Sequence, residues 1–319
     1  MDKNKKNIPQ IDVFLKQILK QLIQVNFKKK DPLVLVNGLA EQYESWFFNV
    51  PFLTEHFTVH CPNLFLYQTE AFFSEFKKIS VEWVEKRLET YLDSFAMTPP
   101  YHFVGSSAGC QTIARLAARR PEIVSKMILI CPSGLGGEEY LPVVDGVSKR
   151  DLGTLISSIF HDKKSFVIDE IISVLKERFE DRRWRFGFVK MAQITKKNSV
   201  IPELLQIKCP ILFICGEQDQ IIPIWQAYDA AQKMRDSGAD IRMIVINQCG
   251  HAPQIEKFQI TNRFVADFLK GKLFSKNEKR RFWRQDGITF MPFDLDQAIL
   301  KTNALRKKIE HPREKIALV

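Results

Sequence analysis

The sequence predicts an α/β fold, in which a mostly parallel open sheet is flanked by helices and carries a helical cap insertion. Three observations predict it. Short apolar runs rich in β-branched and aromatic residues recur along the chain, and segments with helical apolar stripes lie between several of them. Continuous apolar strands that alternate with helices are typical of a parallel sheet covered on both faces. A central stretch carries only helical patterns, which indicates an insertion over one end of the sheet.

Six apolar runs give the predicted strands in chain order. They are Leu33–Val36, Phe57–Cys61, Tyr101–Val104, Met127–Ile130, Ile211–Cys215 and Met243–Ile246. An apolar stripe from Val81 to Phe95 has helical spacing and precedes the third run. A second stripe, Ile113, Leu116 and Ala117, predicts a helix that ends before Pro121, because the residue before a proline disfavours the α conformation.

The chain divides into four predicted parts. Residues 1–30 form a basic helical arm, whose stripe from Ile11 to Val25 fits either a helix packed on the sheet edge or a helix on a membrane surface. Residues 31–134 and 200–271 form the α/β core, and residues 135–199 form the helical cap. Residues 272–319 form a basic C-terminal extension, with a helix expected near 295–309.

The charge distribution argues against a nucleic-acid partner. The net charge is +10, but residues 1–30 hold eight Lys against two Asp, and residues 270–319 hold thirteen basic against six acidic residues. The remaining body has 26 basic and 29 acidic residues, so it lacks the basic groove that nucleic acid requires. Basic ends instead suit peripheral contact with an anionic membrane surface. The oligomeric state is left open.

Compartment and cofactor are also constrained. No apolar run approaches the roughly 18 residues of a membrane span, and Lys16 and Lys20 interrupt the first apolar segment, so we expect no signal peptide and a cytoplasmic protein. The six cysteines contain no CxxC pair, which favours free buried thiols. Neither a Gly-rich phosphate loop nor a metal-ligand cluster is present, so no cofactor and no metal are expected.

The segment Gly105-Ser106-Ser107-Ala108-Gly109 carries the strongest chemical signal. It follows a predicted strand and opens a predicted helix, as a G-x-S-x-G nucleophile elbow requires. The glycine spacing selects Ser107 as the nucleophile, and Ser106 is its rival by adjacency. The helix start supplies backbone N–H groups beside the hydroxyl.

A serine nucleophile needs a base, and the base needs a carboxylate to orient it. Among the six histidines, His251 alone follows a late strand and precedes a predicted helix. The strand Ile211–Cys215 leads into a loop with Glu217 and Asp219, and active sites of open α/β sheets lie in such loops. Asp219 is the predicted acid, and Glu217 is the alternative.

With these three elements in the order Ser107, Asp219, His251, the chain resembles the α/β-hydrolase family of serine hydrolases with a helical cap. The resemblance covers about residues 31–270. It implies an oxyanion hole made by the backbone N–H groups of Leu39, in Asn37-Gly38-Leu39-Ala40, and of Ala108. Three features depart from the family: Asn37 in place of the usual histidine, the apolar loop Pro62–Tyr67, and an N-terminal helix in place of a β-hairpin.

The predicted activity is hydrolysis of a carboxylic ester through an acyl-enzyme on Ser107, with a small, apolar ester as substrate. Candidate pocket residues are Trp46, Phe65, Trp184 and Phe188. The same triad also suits a C–C bond hydrolase of the meta-cleavage-product type. A different class, a non-catalytic small-molecule-binding protein on this scaffold, would not require all three triad residues.

Overall fold

The computed structural model describes residues 30–39, 43–65, 70–94, 98–136, 142–162 and 175–273. The predicted arm helix Ile11–Val25 and the predicted helix near 295–309 lie outside the described residues. Within these ranges, no helix has both the length and the apolar character needed to cross a bilayer.

A six-stranded sheet forms the centre of the fold. Its strands are β1 (Pro32–Val36), β2 (Thr58–His60), β3 (Tyr101–Ser106), β4 (Val124–Ile130), β5 (Ile211–Gly216) and β6 (Ile241–Ile246). They lie in the order β2-β1-β3-β4-β5-β6, and every neighbouring pair is parallel. All six residues of β3 and of β5 are buried, as expected for strands covered on both faces. The predicted fold class is confirmed.

Helices flank the sheet on both sides. In chain order they are α1 (Val50–Thr54), α2 (Glu70–Ser74), α3 (Val81–Ser94), α4 (Ala108–Arg119), α5 (Pro142–Lys149), α6 (Leu152–Ile159), α7 (Arg182–Lys196), α8 (Ile201–Leu204), α9 (Ile224–Asp236), α10 (Pro253–Glu256) and α11 (Phe258–Leu269). Residues 175–180 are also helical. Two 3-10 turns complete the list, Tyr43–Trp46 and Pro121–Ile123.

The core has two hydrophobic clusters, one on each face of the sheet. Alternate side chains of β1 separate into them, because successive strand residues point to opposite faces. Val34 and Val36 join the cluster that includes α3, α4, α9 and the described cap helices. Leu33 and Leu35 join the cluster that includes α11 and Leu53 of α1.

Between β4 and β5, the described residues form helices and loops and no strand. Asp151 begins α6 by accepting a hydrogen bond from the Thr154 backbone N–H at 3.0 Å. Asp181 begins α7 in the same way. The two ends of the insertion meet, since Val200 N–H donates to the Gly134 carbonyl at 2.8 Å. The limits 135–199 of the cap stay a prediction.

Candidate active site

The parallel register places four loops at one edge of the sheet. Ser106 pairs with Ile130, and Ile130 pairs with Ile214, in the strands β3, β4 and β5. Gly216 pairs with Ile246 at the ends of β5 and β6. The chain therefore leaves all four strands at the same carboxyl edge, where ligands bind in open α/β sheets. Ser107 and His251 lie on the first and last of these loops.

Ser107 forms the turn between β3 and α4. Its backbone has φ 50° and ψ −117°, a conformation that a non-glycine residue adopts only under strain. A Cβ atom on Gly109 would lie 2.4 Å from the Val36 carbonyl oxygen, so only glycine allows α4 to start this close to β1. Strand, strained serine and helix are the geometry of a nucleophile elbow.

The environments of the two adjacent serines differ. Ser106 is fully buried, and its hydroxyl accepts a hydrogen bond from the Gln254 side-chain amide at 3.0 Å. Ser107 is half-buried at the start of α4. This difference supports Ser107 over Ser106 as the nucleophile.

Asp219 and His251 form a buried hydrogen-bonded pair. His251 Nδ1 lies 2.8 Å from Asp219 Oδ2, with side chains 6% and 2% exposed. Asp219 Oδ1 accepts the backbone N–H groups of Ile221 and Ile222 at 2.8 and 3.0 Å. Because the carboxylate accepts at both oxygens, the chemistry assigns the proton to Nδ1 and leaves Nε2 to act as a base.

The acid loop and the histidine loop are joined directly. Gln218 N–H donates to the Cys249 carbonyl at 2.9 Å, and Cys249 N–H donates to Gln218 Oε1 at 3.0 Å. Glu217 is exposed, and its carboxylate accepts only a long contact of 3.4 Å from the side-chain amide of Gln218 among the hydrogen bonds described. These contacts support Asp219 over Glu217 as the partner of His251.

Cys131 lies beside this pair. This position of Cys131 was not predicted from the sequence. Its Sγ, an Asp219 carboxylate oxygen and a His251 ring nitrogen lie within 4.8 Å of one another. Burial raises the pKa of the Cys131 thiol well above its usual value, and the charge of Asp219 raises it further. His251 Nδ1 already binds Asp219 Oδ2, and Asp219 Oδ1 already accepts two backbone N–H groups, so the three groups do not suit a metal ion. Cys131 packs the acid–base pair.

The predicted oxyanion donors follow two adjacent strands, β1 and β3. Leu39 follows the buried residues Asn37 and Gly38 after β1, and Asn37 Nδ2 donates to the Gly38 carbonyl at 3.0 Å. Ala108 is the first residue of α4, where a backbone N–H has no acceptor within the helix. The placement is compatible with an oxyanion hole, whose assignment stays a prediction.

Three of the four predicted pocket residues share one cluster. Phe65, Trp184 and Phe188 belong to the cluster that contains the cap helices, and Trp184 stacks on Phe188 with ring centroids 5.4 Å apart. Trp46 belongs to the cluster on the other face of the sheet. All four are at most 1% exposed, and their role in a pocket stays a prediction.

Comparison with known proteins is consistent with this geometry. The model of the alpha/beta hydrolase family matches residues 33–262. The human monoacylglycerol lipase ABHD6 is 23% identical over 270 residues, which cover 79% of each chain. The 2-hydroxy-6-oxo-6-phenylhexa-2,4-dienoate hydrolase of Comamonas testosteroni is 30% identical over 183 residues, 53% of this chain and 62% of the relative. A crystal structure of a serine hydrolase from the polyaromatic hydrocarbon-degrading bacterium Cycloclasticus zankles superposes with a TM-score of 0.64 at 23% identity, covering 78% and 92% of the two chains.

Proposed function

The chain belongs to the alpha/beta hydrolase family and is a hydrolase, and on this premise we propose that it cleaves a carboxylic ester through an acyl-enzyme on Ser107. One observation carries the proposal. The buried Asp219–His251 pair, with its 2.8 Å hydrogen bond, lies at the same sheet edge as the strained Ser107 elbow. A serine hydroxyl becomes a nucleophile when such a pair removes its proton.

In the proposed reaction, Ser107 Oγ attacks the ester carbonyl while His251 Nε2 takes its proton. The backbone N–H groups of Leu39 and Ala108 hold the oxyanion, and each donor of this kind stabilises the transition state by about 3 kcal/mol. His251 then protonates the departing alcohol. A water molecule, deprotonated by His251, releases the acid and restores Ser107.

We propose a small, apolar ester as the substrate. The buried aromatic side chains Phe65, Trp184 and Phe188 support this class, and the human relative is named a monoacylglycerol lipase. Contact with an anionic membrane surface through the basic segments 1–30 and 272–319 is a further proposal, which rests on their charge. A cytoplasmic location is proposed from the six free cysteines.

A second candidate is hydrolysis of a C–C bond in a vinylogous diketone. The Comamonas relative, named for such a substrate, is 30% identical over the matched part. The same three residues would serve this reaction. A non-catalytic binding protein is the weaker alternative, because binding alone does not require a buried acid–base pair at a nucleophile elbow.

A substrate panel with two serine variants tests the proposal. We expect the wild-type chain to hydrolyse p-nitrophenyl esters, with a rate that depends on acyl length, faster than 2-hydroxy-6-oxo-6-phenylhexa-2,4-dienoate. Ser107→Ala should leave less than about a thousandth of kcat, and a fluorophosphonate probe should label Ser107. Ser106→Ala is the matched control and should keep both the label and most activity. Faster dienoate cleavage would favour the second candidate, and a label on Ser106 would reject the assignment.

A further inference from the structure

The Glu256 carboxylate joins the cap to the histidine loop. Glu256 Oε2 accepts the Gly250 backbone N–H at 2.8 Å, immediately before His251. The same carboxylate accepts two N–H groups from the cap, that of His161 at 3.2 Å and that of Asp162 at 2.7 Å. One side chain at the end of α10 therefore holds two chain segments that are far apart in sequence.

A second contact brings the same segments together. The His251 backbone N–H donates to the Ile159 carbonyl, the last residue of α6, at 2.7 Å. A Cβ atom on Gly250 would lie 2.4 Å from that carbonyl oxygen. The backbone of residues 250–251 is therefore set by the cap and by Glu256 as well as by its own strand.

We propose that Glu256 is a positioning residue: by binding residues 161–162 of the cap and Gly250 at once, it fixes His251 in the place from which it serves Ser107. The inference rests on the proposed function of the triad. Glu256 has no described contact with Ser107 or with the His251 ring, so it acts through the backbone of the loop.

The charge of Glu256 suits this role. A carboxylate offers only acceptors, so both oxygens can receive backbone N–H groups without conflict. Hydrogen bonds to a charged acceptor are about twice as strong as neutral ones. A glutamine at this position would turn an NH2 group toward either Gly250 or Asp162, where a donor already points. The hydrogen bond to Gly250 or the one to Asp162 would then be lost, and the junction between the cap and the histidine loop would open on that side.

Opening the junction changes catalysis more than binding. Asp219 holds the imidazole at Nδ1, and the backbone of residues 250–251 determines where the ring can lie. Displacement of a reacting group by about 1 Å reduces the rate by about a hundredfold. We therefore expect Glu256→Gln to lower kcat 10- to 100-fold and to change KM less than threefold.

The experiment compares Glu256→Gln with Glu217→Gln, the same change at an exposed carboxylate in the neighbouring acid loop. Kinetics on a p-nitrophenyl ester are combined with proton NMR of the far-downfield His251 Nδ1–H signal, which needs no substrate and so tests the positioning even if the ester proposal fails. We expect Glu256→Gln to shift or broaden that signal and Glu217→Gln to leave both readouts as in the wild type.

Gly250→Ala supplies an independent arm, because it keeps Glu256 and pushes the Ile159 carbonyl away. It should reproduce the change in the Nδ1–H signal, so the proposal remains testable if Glu256→Gln does not fold. An unaltered signal or a kcat within twofold of wild type in Glu256→Gln would overturn the proposal. So would an equal loss in Glu217→Gln, or, where Glu256→Gln does not fold, an unaltered signal in Gly250→Ala.

Discussion

At the scale of single residues, backbone strain is concentrated where the chemistry is proposed. Of the described non-glycine residues with positive φ, Ser107, Cys131 and Gln248 lie after β3, β4 and β6, with φ of 50°, 43° and 52°. Each such residue costs of order 1–3 kcal/mol and persists only where the surrounding structure determines it. The sheet and the loops packed at its edge supply that constraint.

Gly109→Ala tests how closely α4 must approach β1. The added methyl group would lie 2.4 Å from the Val36 carbonyl and 2.7 Å from that of Asn37, so the helix start must move. We expect a loss of about 1–3 kcal/mol in unfolding free energy, and a fall in kcat of about a hundredfold because the Ala108 N–H moves with the helix. Urea denaturation and ester kinetics measure the two effects.

The control is Gly153→Ala in α6, where the new Cβ meets only the Asp151 side chain at 3.3 Å. Alanine is the better helix former, so this variant should be as stable as the wild type or more stable. Equal kcat for Gly109→Ala and wild type would contradict the role given to the helix start.

At the scale of elements, α7 shows how the cap is attached. Its inner face buries Trp184, Phe188 and Met191 in the hydrophobic cluster that contains the cap helices. Its outer face exposes Arg182 and Arg183, and the α7 segment contains no acidic residue. The Arg183 guanidinium lies 5.9 Å from the centre of the Phe73 ring, which links the outer face to α2. The face with Trp184 and Phe188 points into the protein, and the face with Arg182 and Arg183 points outward.

Full truncation of these aromatics is a poor test of substrate selection, because removing a buried Trp or Phe side chain costs about 3–5 kcal/mol. Phe188→Leu keeps most of the volume. We expect it to change the acyl-length profile of ester hydrolysis, since Phe188 is a predicted pocket residue on the cap helix α7. Relative kcat/KM values for esters of increasing length measure the profile.

Phe264→Leu makes the same change in α11, on the other face of the sheet, at a residue that is 2% exposed. It should lower stability to a similar extent and leave the profile unchanged. Identical profiles for Phe188→Leu and the wild type would exclude Phe188 from substrate selection.

At the scale of the whole molecule, buried histidines make stability depend on pH. Burial lowers the pKa of His102 in β3, Lys126 lowers it further, and Asp31 opposes the shift. The folded state therefore binds fewer protons than the unfolded state, and stability present above the unfolded pKa is lost as pH falls. His60 in β2 is shifted in the same direction by burial.

We expect the unfolding free energy to decline below about pH 6.5, by up to about 1.4 kcal/mol per pH unit for each such histidine. His102→Gln should flatten the decline, because the substituted side chain does not titrate. Urea denaturation at several pH values measures this decline in the unfolding free energy. If His102→Gln keeps the wild-type slope, His102 is not the group responsible.

The strands were predictable from sequence because most of them contain a short apolar run. The predicted run Met127–Ile130 lies within β4, and the weaker run Phe57–Cys61 contains the three-residue β2. Helix α4 begins at Ala108, directly after the strained turn at Ser107, and ends before Pro121 as predicted. Local pattern therefore located the elements to within a few residues.

Loop position and residue type pointed to His251 and to a choice between Asp219 and Glu217, and the hydrogen bond between Asp219 and His251 favours Asp219. The neighbours of the pair were not predictable. The Cys131 thiol, the Gln254 amide on Ser106 and the three hydrogen bonds of Glu256 join residues distant in sequence. Such contacts form only when the loops meet at the sheet edge, so no local sequence pattern predicts them.

The strand order has a consequence for the nascent chain during synthesis. Ser107 and His251 are separated by nearly half of the sequence, and His251 follows β6, which occupies one border of the sheet. Under the proposed function, the growing chain therefore carries Ser107 long before its base is made. We expect a truncated copy that ends before β6, and so lacks His251, to show no ester hydrolysis.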